Sequence, residues 1–91
     1  MVFTLKISVK KKKAHHYSRS LHSFHDPIKG LDLLNMFGYS PMDYWICQQD
    51  TADSRDYMSV AQKLFYKDES VLIEYVPKRK RKKILNPLIS F

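Results

Sequence analysis

The chain has 91 residues, of which 44% are hydrophobic and 13% aromatic, and this composition indicates one small folded domain. Its single cysteine excludes a disulfide framework and a cysteine-rich zinc module. It also favours a reducing, intracellular compartment, either the cytoplasm or, in a eukaryotic host, the nucleus. The apolar runs are only a few residues long, so we expect neither a membrane span nor a membrane partner.

The net charge of +7 is unevenly distributed along the chain. Residues 1–25 carry six bases and no acid, residues 26–76 carry all nine acids against four bases, and residues 77–91 carry six bases. A mildly acidic body therefore lies between two basic ends, an asymmetry that indicates a polyanionic partner or a basic tail.

The first predicted element is a strand over residues 2–9, VFTLKISV. Apolar side chains alternate there with polar ones, and a period of two indicates a strand with one buried face, formed by Phe3, Leu5, Ile7 and Val9. The run Lys10–Lys13 follows as a hairpin tip, where like charges repel least if they are solvated. Residues 14–18 are then predicted to return as a second strand.

A helix is predicted over residues 26–38, DPIKGLDLLNMFG. Asp26 is a suitable N-cap and Pro27 suits the first helical position, while Gly38 is expected to end the helix. Gly30 inside the helix is expected to weaken it by about 1 kcal/mol relative to alanine. One apolar stripe recurs near the helical period, through Ile28, Leu31, Leu34 and Phe37.

The second half of the chain is predicted to be mostly strands and turns. A turn over residues 40–43 leads into a central strand over residues 44–48 and then a polar loop over residues 49–55. Two alternatives stay open for the next stretch: a short strand over residues 57–60, or a helix over residues 59–66 with Val60, Leu64 and Phe65 inward. A turn over 67–70 precedes a strand over 71–76, which Pro77 ends because it lacks a backbone donor.

The order of hairpin, helix, strand, small irregular piece and final strand resembles that of a ubiquitin-like β-grasp domain. The stretch LDLLNMFGYSPMDYWICQQ, residues 31–49, is similar to the helix-to-strand junction of bacterial multi-ubiquitin-type domains, and residues 67–77 resemble their closing strand. The resemblance covers residues 2–77. It implies an α+β fold with a mixed sheet of four to five strands packed on one short helix. We therefore expect one domain over residues 1–77 and a basic, then apolar, tail over residues 78–91.

The C-terminal residues differ from those of conjugated ubiquitin-like proteins. Conjugation needs a C-terminal glycine carboxylate that an activating enzyme can adenylate, whereas this sequence ends in Ile89-Ser90-Phe91. The resemblance therefore implies a scaffold used for binding and not a conjugated modifier.

Two basic clusters are predicted to contact nucleic acid or another polyanion through phosphate groups. They consist of Lys10, Lys11, Lys12 and Lys13, and of Lys78, Arg79, Lys80, Arg81, Lys82 and Lys83. In a β-grasp fold the first and last strands are parallel neighbours, so both clusters would lie at one edge of the domain. The second cluster has two alternative interpretations, a nuclear-import signal and a solubilising tail.

Tyr44 and Trp45 are the candidate partner-binding residues. Neighbouring residues of a strand point to opposite faces, so one of the two is expected on the outer face of the sheet, where it can anchor a protein or stack on a base. A core position for Trp45 is the alternative.

Catalysis and metal binding have no good candidate in the sequence. His22, His25 and Asp26 match no closed zinc motif, and Cys47 lies in an apolar stretch where a thiol is most often a small buried group. Only two glycines are present, which excludes a glycine-rich phosphate loop. We therefore predict no enzyme, no metal site and no cofactor.

Two functions remain. The first is a non-catalytic ubiquitin-like domain that binds a protein partner through its sheet face. The alternative is a small basic protein that binds DNA or RNA through its two basic clusters.

Overall fold

The computed structural model describes residues 2–48 and 54–77 of the chain. In this part the order of elements is β1 (Phe3–Lys10), β2 (Ser18–Phe24), β3 (Ile28–Lys29), α1 (Gly30–Met36), β4 (Tyr44–Cys47), α2 (Ser54–Gln62), β5 (Leu64–Phe65) and β6 (Glu69–Tyr75). Residues 49–53, in the predicted polar loop, and residues 78–91, the predicted tail, lie outside the described residues. Among the described residues, no helix is both long and apolar enough to cross a membrane.

The main sheet has four strands in the order β2-β1-β6-β4. The two inner strands, β1 and β6, run parallel, with the register extending from Leu5 beside Glu69 to Lys10 beside Glu74. The outer strands β2 and β4 each pair antiparallel with their neighbour. β3 and β5 form a separate antiparallel pair. The prediction of an α+β fold with a mixed sheet is therefore confirmed, although it has two described helices where one was expected.

The first strand follows its predicted alternation. Phe3, Leu5 and Ile7 are buried, whereas Lys6 between them is exposed. The second strand was predicted over residues 14–18 but covers Ser18–Phe24, so that prediction is wrong. The chain first makes a turn in which the Ala14 N–H donates to the Lys11 carbonyl oxygen at 3.0 Å. β2 lies at a sheet edge and is mostly exposed, so its sequence, SRSLHSF, carries little apolar alternation by which to recognise it.

Helix α1 begins four residues later than predicted, because Ile28 and Lys29 pair with β5 in extended conformation. Asp26 therefore does not cap the helix and Pro27 does not start it. Gly30 is its first residue, and the Gly30 N–H donates to the Lys63 carbonyl oxygen at 3.0 Å. A Cβ at Gly30 would overlap the Val60 carbonyl oxygen, so this glycine permits α1 and α2 to approach closely.

The end of α1 agrees with the sequence. Gly38 has a φ of 79°, in the left-handed region that favours glycine. The Gly38 N–H donates to Asn35 O at 3.1 Å and the Tyr39 N–H to Leu34 O at 3.0 Å, the hydrogen bonds of a Schellman motif. The predicted turn over residues 40–43 follows, with the Asp43 N–H donating to Ser40 O at 3.0 Å.

Strand β4 is confirmed in type, but it lies at the sheet edge and not at its centre. Trp45, Ile46 and Cys47 are buried in succession, which means that both faces of this strand are covered. Helix α2 contacts β4 and contributes to that cover. The helical alternative for this region is therefore correct in type, though α2 starts and ends earlier than predicted, and the alternative of a strand over residues 57–60 is wrong.

The hydrophobic core joins side chains of the sheet, both helices and β5. Its fully buried large members include Leu5, Leu33, Leu34, Ile46, Tyr57, Phe65 and Ile73. Val60 and Phe65 are buried as expected, whereas Leu64, predicted to be inward, is 47% exposed because β5 alternates like any strand. Pro77 follows the end of β6, as predicted.

Candidate functional site

The lysine tip, which we define as Lys10–Lys13, lies at the turn between β1 and β2. Lys10 is the last residue of β1 and pairs in register with Glu74 of the parallel strand β6. Because parallel strands end at the same edge of a sheet, the tip lies beside the last residues of β6, as the sequence predicted. The second cluster, Lys78–Lys83, lies outside the described residues, so its union with the tip in one patch stays a prediction.

Two tyrosines lie against the lysine tip. The Lys10 Nζ is 5.8 Å from the ring centroid of Tyr17, and the Lys12 Nζ is 5.5 Å from that of Tyr75. Both distances suit a cation–π contact. Tyr17 and Tyr75 are half-buried.

Ring contacts between tyrosines extend from Tyr75 along the end of the sheet. Tyr75 meets Tyr44 edge-on with centroids 5.7 Å apart, and Tyr44 meets Tyr39 at 4.8 Å. Of the four tyrosines Tyr17, Tyr39, Tyr44 and Tyr75, the sequence pattern indicated Tyr44 alone as a site residue. The other three come from a loop, a strand and a helix end that only the fold brings together, and no local signal would have found them.

The Tyr17 hydroxyl donates a hydrogen bond to a carboxylate oxygen of Glu74. Burial, reinforced by this bond and by the negative charge of Glu74, raises the pKa of Tyr17 to about 12. The phenol therefore stays protonated at neutral pH and remains a donor. It binds the one carboxylate that β6 places beside Lys10.

Tyr44 and Trp45 have the opposite orientations that the sequence predicted, but the surroundings of Trp45 differ from a partner-binding surface. Trp45 is 2% exposed, and its ring is stacked on Tyr57 of α2 at 5.6 Å with an interplanar angle of 6°. The alternative of a core position therefore describes Trp45, because α2 covers the strand. Tyr44 is half-buried, and its part in binding a partner stays a prediction.

The second candidate surface is the outer side of the β1–β2 hairpin. Leu21 is 70% exposed and pairs with Lys6, and the next outward pair is Ser8 with Arg19. Two open hollows of about 330 and 240 Å³ adjoin this pair, and both are lined by Lys6 and Leu21. We call this surface, formed by Lys6, Arg19, Ser20 and Leu21, the β2 face. Sequence reasoning missed it, because an apolar residue in a polar strand is inconspicuous until the strand is seen at an open edge.

The four histidines and Cys47 all lie within the described residues. Across residues 2–48 and 54–77, no group of three or more His, Cys, Asp or Glu side chains could hold a metal ion. The His22 Nε2 is 2.8 Å from the Ser20 hydroxyl, and the His22 ring meets Phe37 edge-on at 4.7 Å. Cys47 is buried in the core, where the sequence placed it.

A polar network joins β4, α2 and β6 at the opposite end of the sheet from the lysine tip. The Lys63 Nζ lies 2.6 Å from Glu69 Oε1 and 2.9 Å from Gln48 Oε1, and Gln48 Nε2 donates to Glu69 Oε1 at 3.0 Å. Burial disfavours the charged form of Glu69, but the hydrogen bonds from Lys63 and Gln48 and the charges of Lys63 and Lys67 together lower its pKa. The arrangement is that of a structural tie, since it links three elements.

Comparison of the chain with protein-family models, with curated proteins and with solved structures finds no match.

Proposed function

We propose that this chain is a non-catalytic, ubiquitin-like β-grasp domain that binds a protein partner through the β2 face and the adjoining edge of the sheet. The β-grasp assignment is supported by two parallel inner strands flanked by antiparallel outer strands, with a helix after the first hairpin. One fold serves many functions, so the proposed binding function depends on the surface of the domain and not on its fold.

The observation that carries the proposal is the exposure of Leu21. Leu21 is 70% exposed and borders two hollows beside the edge strand, so it can contact an apolar group of a segment that pairs with this strand. Burying a leucine side chain stabilises a complex by roughly 1.5–3 kcal/mol, which is about a tenfold to hundredfold change in affinity.

The backbone of β2 supports the same conclusion. β2 is an outer strand that pairs only with β1 among the described strands, over Ser18 to Phe24. Alternate N–H and C=O groups of an outer strand point away from the sheet, where an extended segment of another protein can pair with them. Main-chain hydrogen bonds would supply affinity, and the hollows beside Leu21 would supply side-chain selectivity.

The test is selection of binders from a random-peptide display library, followed by mapping of the bound peptide through amide chemical-shift changes. We expect the changes to concentrate in β2 and the outward residues of β1. The substitution Leu21→Asp should weaken the selected peptides by at least about tenfold, because it removes the apolar contact.

The matched control is Leu64→Asp, since Leu64 is also an exposed strand leucine but belongs to the β3–β5 pair. We expect this variant to bind like the unaltered protein. Chemical-shift changes confined to other surfaces, or equal losses in both variants, would contradict the assignment of the β2 face.

A further inference from the structure

We propose that the lysine tip and its tyrosines form a second binding site, separate from the β2 face, whose ligand is single-stranded nucleic acid. The lysines contact phosphates, and Tyr17 and Tyr75 supply aromatic surface on which unpaired bases stack. This inference does not depend on the proposed protein-binding function.

The first observation that supports this site is the positive charge of the lysine tip. Lys11, Lys12 and Lys13 are exposed consecutive bases at a turn. Among the described residues, carboxylates are brought to this end of the sheet by Glu74, which accepts the hydrogen bond from Tyr17, and by Asp43, whose backbone oxygen accepts the Val76 N–H at 2.8 Å. More positive than negative groups therefore face solvent here, and the chain continues after Pro77 with six bases in succession. Such a concentration of lysines attracts a phosphate backbone and releases its counterions.

The aromatic rings favour single-stranded over double-stranded nucleic acid as the ligand. The ammonium groups of Lys10 and Lys12 lie over the rings of Tyr17 and Tyr75, at 5.8 and 5.5 Å from the ring centroids. A base that stacks on such a ring takes the place of the ammonium group, and the lysine side chain then turns to the neighbouring phosphate. This pairing of stacking with charge is typical of single-strand binding. The bases of a duplex are already stacked on one another and do not offer their faces, so the duplex would use only the lysines.

Lysines elsewhere in the protein provide a control for substitutions in the lysine tip. Lys67 lies just before β6, whereas the tip lies beside the end of β6, and seven residues of strand separate the two ends by about 20 Å. Lys29 belongs to the β3–β5 pair, outside the main sheet. Replacing Lys29 and Lys67 by serine therefore removes the same charge as replacing Lys10 and Lys12, but away from Tyr17 and Tyr75. The Lys67 Nζ lies 5.9 Å from the ring centroid of Tyr66, so this variant also tests whether a lysine beside a tyrosine elsewhere on the protein is enough for binding.

The first experiment measures binding of the full chain to a labelled single-stranded oligonucleotide and to a duplex of the same length, by fluorescence anisotropy over a series of salt concentrations. We expect tighter binding of the single strand. The Lys10→Ser/Lys12→Ser variant should bind about tenfold more weakly at low salt, with a log–log salt slope reduced by about 1.4, because two phosphate contacts are lost.

At about 0.1 M salt, where charge is screened beyond about 10 Å, the Lys29→Ser/Lys67→Ser variant should stay within about twofold of the unaltered protein. Equal losses in the two variants would overturn the site, because they would show that binding does not depend on the lysine tip. Absence of binding at low salt would overturn it as well, and tighter binding of the duplex would overturn the preference for single strands.

The second experiment tests stacking. Tyr17 lies in the loop between β1 and β2, outside the regular elements, so its substitution is compatible with folding. Tyr17→Ala should weaken single-strand binding by about fivefold to hundredfold, whereas Tyr17→Phe keeps the ring and should restore most of the affinity. Equal weakening in both variants would show that the hydroxyl bond to Glu74 matters and that the ring does not, which would overturn the stacking role.

Discussion

The two outer strands of the main sheet have opposite surroundings. β4 is short and apolar, and Trp45, Ile46 and Cys47 are buried in succession beneath helix α2 and the rest of the core. β2 is longer and polar, and it leaves Leu21 exposed at an open edge. Outer strands invite pairing with other chains unless they are covered or blunted. The covered strand therefore contributes to stability, whereas the open strand keeps one edge without a partner strand among the described residues.

The largest expected effect separates the two edges directly. Ile46→Ala removes buried aliphatic atoms from β4 and should lower the free energy of unfolding by about 2–5 kcal/mol. Leu21→Ala in β2 should change it by less than about 0.5 kcal/mol, because the side chain is already in solvent. Chemical denaturation of both variants measures the difference. Similar losses at the two positions would contradict the contrast between the edges.

The next prediction concerns the packing of α2, the helix that covers β4, against α1. Gly30→Ala would place a Cβ 2.9 Å from the carbonyl carbon of Val60 in α2, so the two helices must separate. We expect a loss of about 1–3 kcal/mol by denaturant unfolding, as for other overpacked sites.

Gly38→Ala is the matched control for Gly30→Ala. No atom lies within 4 Å of the position that its Cβ would take, and the strain comes from the backbone φ of 79° alone. Its expected loss is about 1 kcal/mol. A larger loss of stability for Gly38→Ala than for Gly30→Ala would show that the close packing of α2 against α1 at Gly30 does not limit the stability of the protein.

A smaller effect should follow acidification at the end of the covered strand. The lowered pKa of Glu69 means that its ionised form stabilises the folded state above the ordinary value of 4.5, and that this stability is lost as the pH falls through the folded pKa. Glu69→Gln should remove a contribution on the order of 1 kcal/mol at neutral pH. The variant should then lose less stability than the unaltered protein between about pH 6 and pH 3. Parallel pH profiles would show that this carboxylate does not tie the three elements together.

The smallest effect distinguishes two tyrosines. Burial, together with the nearby Cys47 thiol, raises the pKa of Tyr57 to about 12, and its hydroxyl has no hydrogen-bond partner among the described residues. Tyr57→Phe should therefore leave the free energy of unfolding unchanged or raise it by up to about 1 kcal/mol, because an unsatisfied buried hydroxyl is removed.

The comparison for Tyr57→Phe is Tyr17→Phe, which removes a hydroxyl that donates to Glu74. This change should lower stability by about 0.5–1.5 kcal/mol. If thermal unfolding showed a larger loss for Tyr57→Phe than for Tyr17→Phe, the Tyr57 hydroxyl would be needed to hold the stacked pair of Tyr57 and Trp45 in position.

Several features of this protein were determined by the sequence itself, because they depend on neighbouring residues only. The alternation of residues 2–9 predicts β1 and its buried face, since a strand places every second side chain on one side. Gly38 marks the end of α1 because few other residues adopt a positive φ at low cost, and Pro77 follows the last strand because it lacks an N–H donor.

Other features were decided by the tertiary structure, because they depend on residues distant in the chain. Ile28 and Lys29 suit a helix locally but become extended through pairing with β5, and Gly30 looks like a weak helical residue until Val60 is seen against it. Trp45 is buried rather than available to a partner because α2 packs on β4. The lysine run is visible in the sequence, but its contact with Tyr75 exists only because β1 and β6 run parallel and end together. A run of charges is thus visible in the sequence alone. The aromatic rings beside it and the open edge that exposes Leu21 depend on the order of the strands in the sheet, which no local pattern encodes.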